Sequence, residues 1–187
     1  MTATTVSPGR MTMPPVESLN DIQRGIYDAT VRNLGVPIGP RMVLMNHPEV
    51  AQAWSDLARV LEQATFPKSV RELVILLVAR HWKAQFEWFA HAPEALKAGL
   101  SQQCLDTLRQ GGRPALPDAL HDAVYDYATE LQETRQVGDA TYDRLRQALG
   151  DRGLIELSVL MGHYTNVAMT LLTHRVPLPE GQSVVFG

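Results

Sequence analysis

The chain has 187 residues, a single cysteine and a formal net charge of −3 from 17 basic and 20 acidic residues. At about 150 residues per domain the length predicts one domain, and a chain of this size can bury about 70% of its unfolded surface without a disulfide scaffold. One cysteine, Cys104, excludes an internal disulfide, a CxxC redox pair and a cysteine-rich zinc site, while the slightly acidic balance excludes a basic nucleic-acid binder.

The chain opens on MTATTVSPGRMTMPP, which has one Arg and no apolar stretch, so it is no secretory signal. Its Thr, Ser and Pro predict a flexible arm over residues 1–18. Helical punctuation begins at Leu19, and no period-2 strand pattern interrupts it. Asn20 or Asp21 caps a first helix ending near Asn33–Gly35, followed by a loop over Val36–Pro40. His47 as N-cap with Pro48 at the first position starts a helix carrying Val50, Trp54, Leu57 and Leu61 on one face. Pro67 and Ser69 open a helix through RELVILLVAR that is apolar nearly all round, which places it in the core. Pro93 interrupts the next helical stretch, and Gly99 ends the helical stretch beyond it. Ser101 caps QQCLDTLRQ, which closes at Gly111–Gly112. Pro117 begins a helix to about Thr134. Gly138–Asp139 starts another that stops at Gly150, and a last long helix runs from Asp151 to about His174. Residues 177–187 read as an extended tail. The longest apolar run, Leu73–Ala79, is far short of the ~20 residues of a membrane-spanning helix. A lone thiol fits a reducing cytoplasm. All this predicts an all-α, single-domain helical bundle over 19–176.

Three side chains stand out for chemistry. Glu87 and His91 are four apart, hence on one helix face. A carboxylate beside an imidazole fixes its tautomer and makes a proton-transfer pair. Trp82, Phe86, Trp88 and Phe89 wall the pair, and apolar walls push a carboxyl pKa upward. Glu72 lies fifteen residues before Glu87, and a turn near Trp82–Ala84 would bring it back towards Glu87 and His91. A charge among apolar residues needs a partner, for which Arg71, Arg80 or His91 could serve. Arg80 and Arg71 could instead hold a substrate carboxylate. His163, Tyr164 and Asn166 place polar groups in the last helix, facing either a pocket or a satisfied core. His81, His121 and His174 have no partner at metal spacing. Glu72, Glu87 and His91 are two carboxylates and an imidazole, a set that would also suit a divalent ion.

The stretch Arg71–Leu100, RELVILLVARHWKAQFEWFAHAPEALKAGL, resembles the core segment of the carboxymuconolactone decarboxylase family, which includes alkylhydroperoxidase D. The shared features are the R-E-L start, the apolar helix ending in V-A-R, the aromatic block with Trp, the His, and A-L-x-A-G-L. The resemblance implies the all-helical bundle of alkylhydroperoxidase D type, assembled as a homo-oligomer, trimeric or hexameric. Carried over residue by residue, the family's Glu falls on Glu72 and its His on His91, but the two positions of the CxxC pair hold Ala84 and Glu87. A peroxidase cycle needs one thiolate to attack and a second thiol to resolve, and neither position can supply sulfur. The resemblance then implies a cofactor-free, metal-free lyase or isomerase acting on a small unsaturated carboxylic acid or lactone. Glu72, Glu87 and His91 would be catalytic, and Arg80, Trp88 and Tyr164 would contact substrate. The alternatives are an alkylhydroperoxidase-like enzyme using an unusual thiol, and a catalytically silent oligomeric binding protein.

Overall fold

In the computed structural model the described residues are 9–34 and 39–187. After a 3₁₀ turn at Val16–Ser18 come α1 (Asp21–Leu34), α2 (Pro40–Leu44), α3 (Pro48–Glu62) and α4 (Lys68–Trp82). They are followed by α5 (Gln85–Lys97), α6 (Gln102–Arg109), α7 (Ala119–Thr134) and α8 (Asp139–Thr173). No strand occurs among the described residues, and no helix among them is long and apolar enough to cross a membrane.

The punctuation works as the residue types dictate. Asn20 and Gln23 exchange hydrogen bonds, each side-chain oxygen accepting from the other's backbone N–H at 2.9 and 2.8 Å, a reciprocal cap at the start of α1. His47 Nδ1 accepts from Val50 N, and Ser101 Oγ from Cys104 N. Gly150 adopts φ 67°, ψ 177° and splits α8 into the two helices expected from the sequence. A left-handed φ of this kind costs Gly nothing sterically. Most of the expected loop between α1 and α2 lies outside the described residues. Just after it comes α2, a short helix without a periodic pattern in the sequence. Pro93 does not break α5: the helix runs through it and ends at Lys97. Its ring removes only the one bond that an N–H at 93 would give to Phe89.

The apolar helix α4 is the axle of the bundle. Val70 and every residue from Glu72 to Ala79 are buried, and α5, α6, α7 and α8 all pack against it. Lys83, in left-handed conformation at φ 51°, ends α4. Ala84 N then bonds Ala79 O at 2.8 Å and Lys83 N bonds Arg80 O at 3.2 Å, a Schellman closure. The chain reverses there, so α5 returns along α4. A smaller layer, α1 to α3, packs at one side through α2 and α3 on α8.

Residues 1–8 of the expected arm lie outside the described residues; the part from residue 9 on, and the tail, are tied more closely than an arm and an extended tail. Arg10 donates to the carbonyls of His174 and Thr173, and Asn46 donates to Thr12 O. In the tail a turn at Glu180–Gly181 directs Phe186 back into the main core, 8% exposed.

Candidate active site

The reversal at Lys83–Ala84 sets His91 of α5 beside Glu72 of α4. His91 Nδ1 lies 2.8 Å from Glu72 Oε2. An ionised carboxylate only accepts, so Nδ1 donates to Glu72, and in the neutral imidazole it is Nε2 that carries the lone pair. Glu72 is 3% exposed and is also met by Arg71 Nε at 3.6 Å. Two of the three partners proposed from the sequence are thus the actual ones.

Glu87 does not orient His91. It is 1% exposed, and neither carboxyl oxygen has a hydrogen-bond partner among the described residues. Burial pushes its pKa well above the ordinary carboxylate range, because the charged form would be desolvated without a compensating partner. The spacing of four puts Glu87 and His91 on one side of α5, but Glu72 reaches His91 across the helix pair and displaces the intrahelical partner.

Glu72, Glu87, His91 and Tyr164 all line one cavity of about 760 Å³ between α2, α3, α4, α5 and α8. Its apolar wall includes Trp54, Phe86, Phe89, Leu160, Val167 and Leu171. The His91 and Tyr164 rings meet edge-to-face at 5.1 Å. Burial raises the Tyr164 pKa, with Glu72 and Glu87 adding to the rise, so it remains a neutral phenol. His163 sits between Tyr164 and Trp54, with ring centroids at 5.3 and 4.9 Å. Burial and the nearby Arg41 lower its pKa to about 4, which keeps it neutral. Gly39, at φ 67°, lies flat on Phe86: a Cβ there would come within 2.5 Å of the ring. Only glycine lets α2 close on the cavity wall at this point.

Two expected contacts are absent. Arg80 does not line this cavity. It lies over the Phe186 ring at 5.7 Å and faces a separate cavity of about 220 Å³ near Gly111 and Gln132. Trp88 is buried edge-to-face on Phe186 at 5.2 Å and does not line the cavity either. Conversely, Arg41, Trp54 and His163 line it, and of these the sequence singles out only His163 as a polar group that could face a pocket.

The remaining reactive side chains lie elsewhere. Cys104 in α6 is buried in the main core, and burial raises its thiol pKa. His121 bridges Asp118 and Ser69, with Nδ1 2.7 Å from Asp118 Oδ1 and Nε2 2.9 Å from Ser69 Oγ. This chain ties the start of α7 to the start of α4 outside the cavity.

No family model matches the sequence, and no curated protein does. Solved structures match its fold. An uncharacterized peroxidase-related protein from Ralstonia eutropha JMP134, an alkylhydroperoxidase AhpD core, aligns with TM-score 0.79 at 16% identity, over 93% of this chain and 95% of that one. An uncharacterized peroxidase-related protein from Silicibacter sp. TM1040 aligns with TM-score 0.75 at 19% identity, over 97% and 99%. The debrominase Bmp8 aligns with TM-score 0.73 at 10% identity, over 95% and 93%. The chain therefore has the all-helical fold of the alkylhydroperoxidase AhpD and carboxymuconolactone decarboxylase type.

Proposed function

We propose that the cavity is the active site of a cofactor-independent lyase or isomerase of carboxymuconolactone decarboxylase type, acting on a small unsaturated carboxylic acid or lactone. The supporting observation is Glu87, a buried carboxyl without a partner among the described residues, lining the same cavity as a His91–Glu72 pair. A carboxyl held protonated is a proton donor, and an imidazole whose Nδ1–H is engaged by a carboxylate is a proton acceptor at Nε2. In the lyase form the bond to the departing carboxylate breaks and CO2 leaves. The electron pair passes into the unsaturated carbonyl as an enolate, and the Glu87 proton goes to carbon. Solvent then restores the proton on Glu87. In the isomerase form His91 Nε2 removes a C–H proton, Glu87 protonates the far end of the dienolate, and His91 returns its proton to Glu87. Tyr164, a neutral phenol, donates to the enolate oxygen.

A thiol peroxidase is less well supported. Position 84 holds Ala, position 87 holds Glu, and Cys104 is buried in α6 away from the cavity. The test is incorporation of deuterium at carbon from D2O into unsaturated acids and carboxylactones, beginning with carboxymuconolactone, followed by proton NMR with CO2 release in parallel. Exchange or decarboxylation is expected, unchanged in Cys104→Ser. Thiol-dependent peroxide consumption that disappears in Cys104→Ser, without exchange at carbon, would overturn the proposal.

The same reading has the chain working in the cytoplasm as a homo-oligomer, trimeric or hexameric. Its support is an exposed apolar row on α8, Ile155, Val159 and Met169, together with Val50 and Leu57 on α3; surfaces of this kind mark association faces. Sedimentation should give three or six times 20.7 kDa, and Ile155→Glu should shift the species towards the monomer. A monomeric wild type at micromolar concentration would contradict it.

A further inference from the structure

The cavity wall contains three cations, and two are already engaged. Lys68 Nζ pairs with Glu94 at 2.6 Å. Arg71 pairs with Glu72 and donates to the Glu62 carbonyl at 2.9 Å. Arg41 is different: no carboxylate oxygen lies within 4.0 Å of it among the described residues. The remaining residues, 1–8 and 35–38, include no Asp or Glu. Its guanidinium carbon lies 5.3 Å from the Trp54 ring centroid, a cation–π contact that takes up none of its N–H donors, and no described residue accepts a hydrogen bond from them. Burial disfavours its charge, yet an Arg in a protein stays protonated. The neighbouring His163 is neutral. Glu62 on the same cavity wall bears on its charge from beyond ion-pair distance, so Arg41 is a partly desolvated positive charge in the cavity wall with no ion-pair partner among the described residues.

We infer that Arg41 is the carboxylate anchor of this site: its guanidinium fork, held on Trp54, takes a carboxylate of the substrate that survives the reaction. This rests on the lyase or isomerase reading only in taking the same cavity as the site. A bidentate fork suits a planar carboxylate. The anchored group cannot be the one that leaves as CO2, because an ion pair made to a departing carboxylate stabilises the ground state and raises the barrier. The inference narrows the substrate class. A substrate losing CO2 here carries two carboxylates, one on Arg41 and one directed at the apolar wall. A substrate that is isomerised needs only one.

Calorimetric titration tests the anchor without requiring turnover. The probes are cinnamate, sorbate and a carboxymethyl butenolide, each beside its primary amide, with the full-length wild type, Arg41→Gln and Arg41→Lys. A charge-assisted fork predicts that at least one acid binds tenfold to a hundredfold more tightly than its amide. Arg41→Gln should erase that preference, and Arg41→Lys should restore part of it, as a point charge without the fork. Matching thermal melts show whether the variants are folded, and if Arg41→Gln is not, Arg41→Lys carries the comparison alone through an incomplete acid preference. Amides bound as tightly as acids, no binding by any acid, or an acid preference that survives both substitutions would each overturn the inference. Acid-selective binding without exchange at carbon would leave the Arg41 anchor in place and remove the lyase or isomerase reading. Exchange at carbon indifferent to Arg41 would do the reverse.

Discussion

Glu87→Gln is expected to cut proton delivery to carbon by about 10²- to 10⁴-fold while stabilising the folded protein at neutral pH. Both effects follow from one property. Glu87 is a buried carboxyl with no hydrogen-bond partner among the described residues, and burial raises its pKa well above the ordinary range. The proton it holds is the one the proposed reaction uses. Gln keeps the shape and removes the transferable proton. The sign for stability is fixed by linkage. The native state retains a proton on Glu87 that the unfolded chain releases above about pH 4.5, so stability is full below that pH and falls as pH rises towards the native pKa. Within that window the loss is about tenfold in the folding equilibrium per pH unit. Thermal melts from pH 4.5 to 8 should show Glu87→Gln gaining on the wild type as pH rises, with the two converging at the acid end. A difference independent of pH would mean that Glu87 is ionised in the native protein. His91→Gln should lose comparable activity, since it removes the proton acceptor that Glu72 orients.

Why some of the site could be read from the chain and some could not follows from the same geometry. The core helix, the turn after Trp82 and the convergence of Glu72 with His91 are legible because they depend on local rules: an all-round apolar run, helix punctuation, and an antiparallel return. Which carboxylate holds His91 is not local. Spacing favours Glu87, but a partner reaching across from α4 has the shorter path. Arg80 and Trp88 fail as substrate contacts for reasons of helix geometry. Arg80 is eight residues beyond Glu72, about 12 Å along the axis at 1.5 Å per residue. Trp88 follows Glu87 by one residue, about 100° around the helix, so it faces Phe186 where Glu87 faces the cavity. Arg41 was invisible because α2 is five residues long, too short for a periodic signal, and its position depends on Gly39 lying against Phe86.

The tail residue Phe186 is expected to be worth about 3–5 kcal/mol, the usual cost of Phe→Ala in a core. Its ring is 8% exposed and packs edge-to-face on Trp88, and the Arg80 guanidinium lies over it. The tail also does for α5 what no capping residue does. Ala84 stands at the N-cap and offers no side-chain acceptor. Instead Gln85, the first residue of α5, accepts from Val185 N at 2.7 Å and Phe186 N at 3.1 Å, and donates to Phe186 O at 2.6 Å. The tail therefore clamps the start of the helix that carries Glu87 and His91. Urea unfolding of Phe186→Ala should show a lower midpoint with the slope retained. Val184→Ala, at a side chain 65% exposed, should stay within about 0.5 kcal/mol of wild type. If the two variants unfold alike, the tail is not part of the core. If Phe186→Ala is destabilised as expected, the first turn of α5 should also lose amide exchange protection. The acid that the proposed reaction depends on is then held in place by a residue about a hundred positions away in the chain.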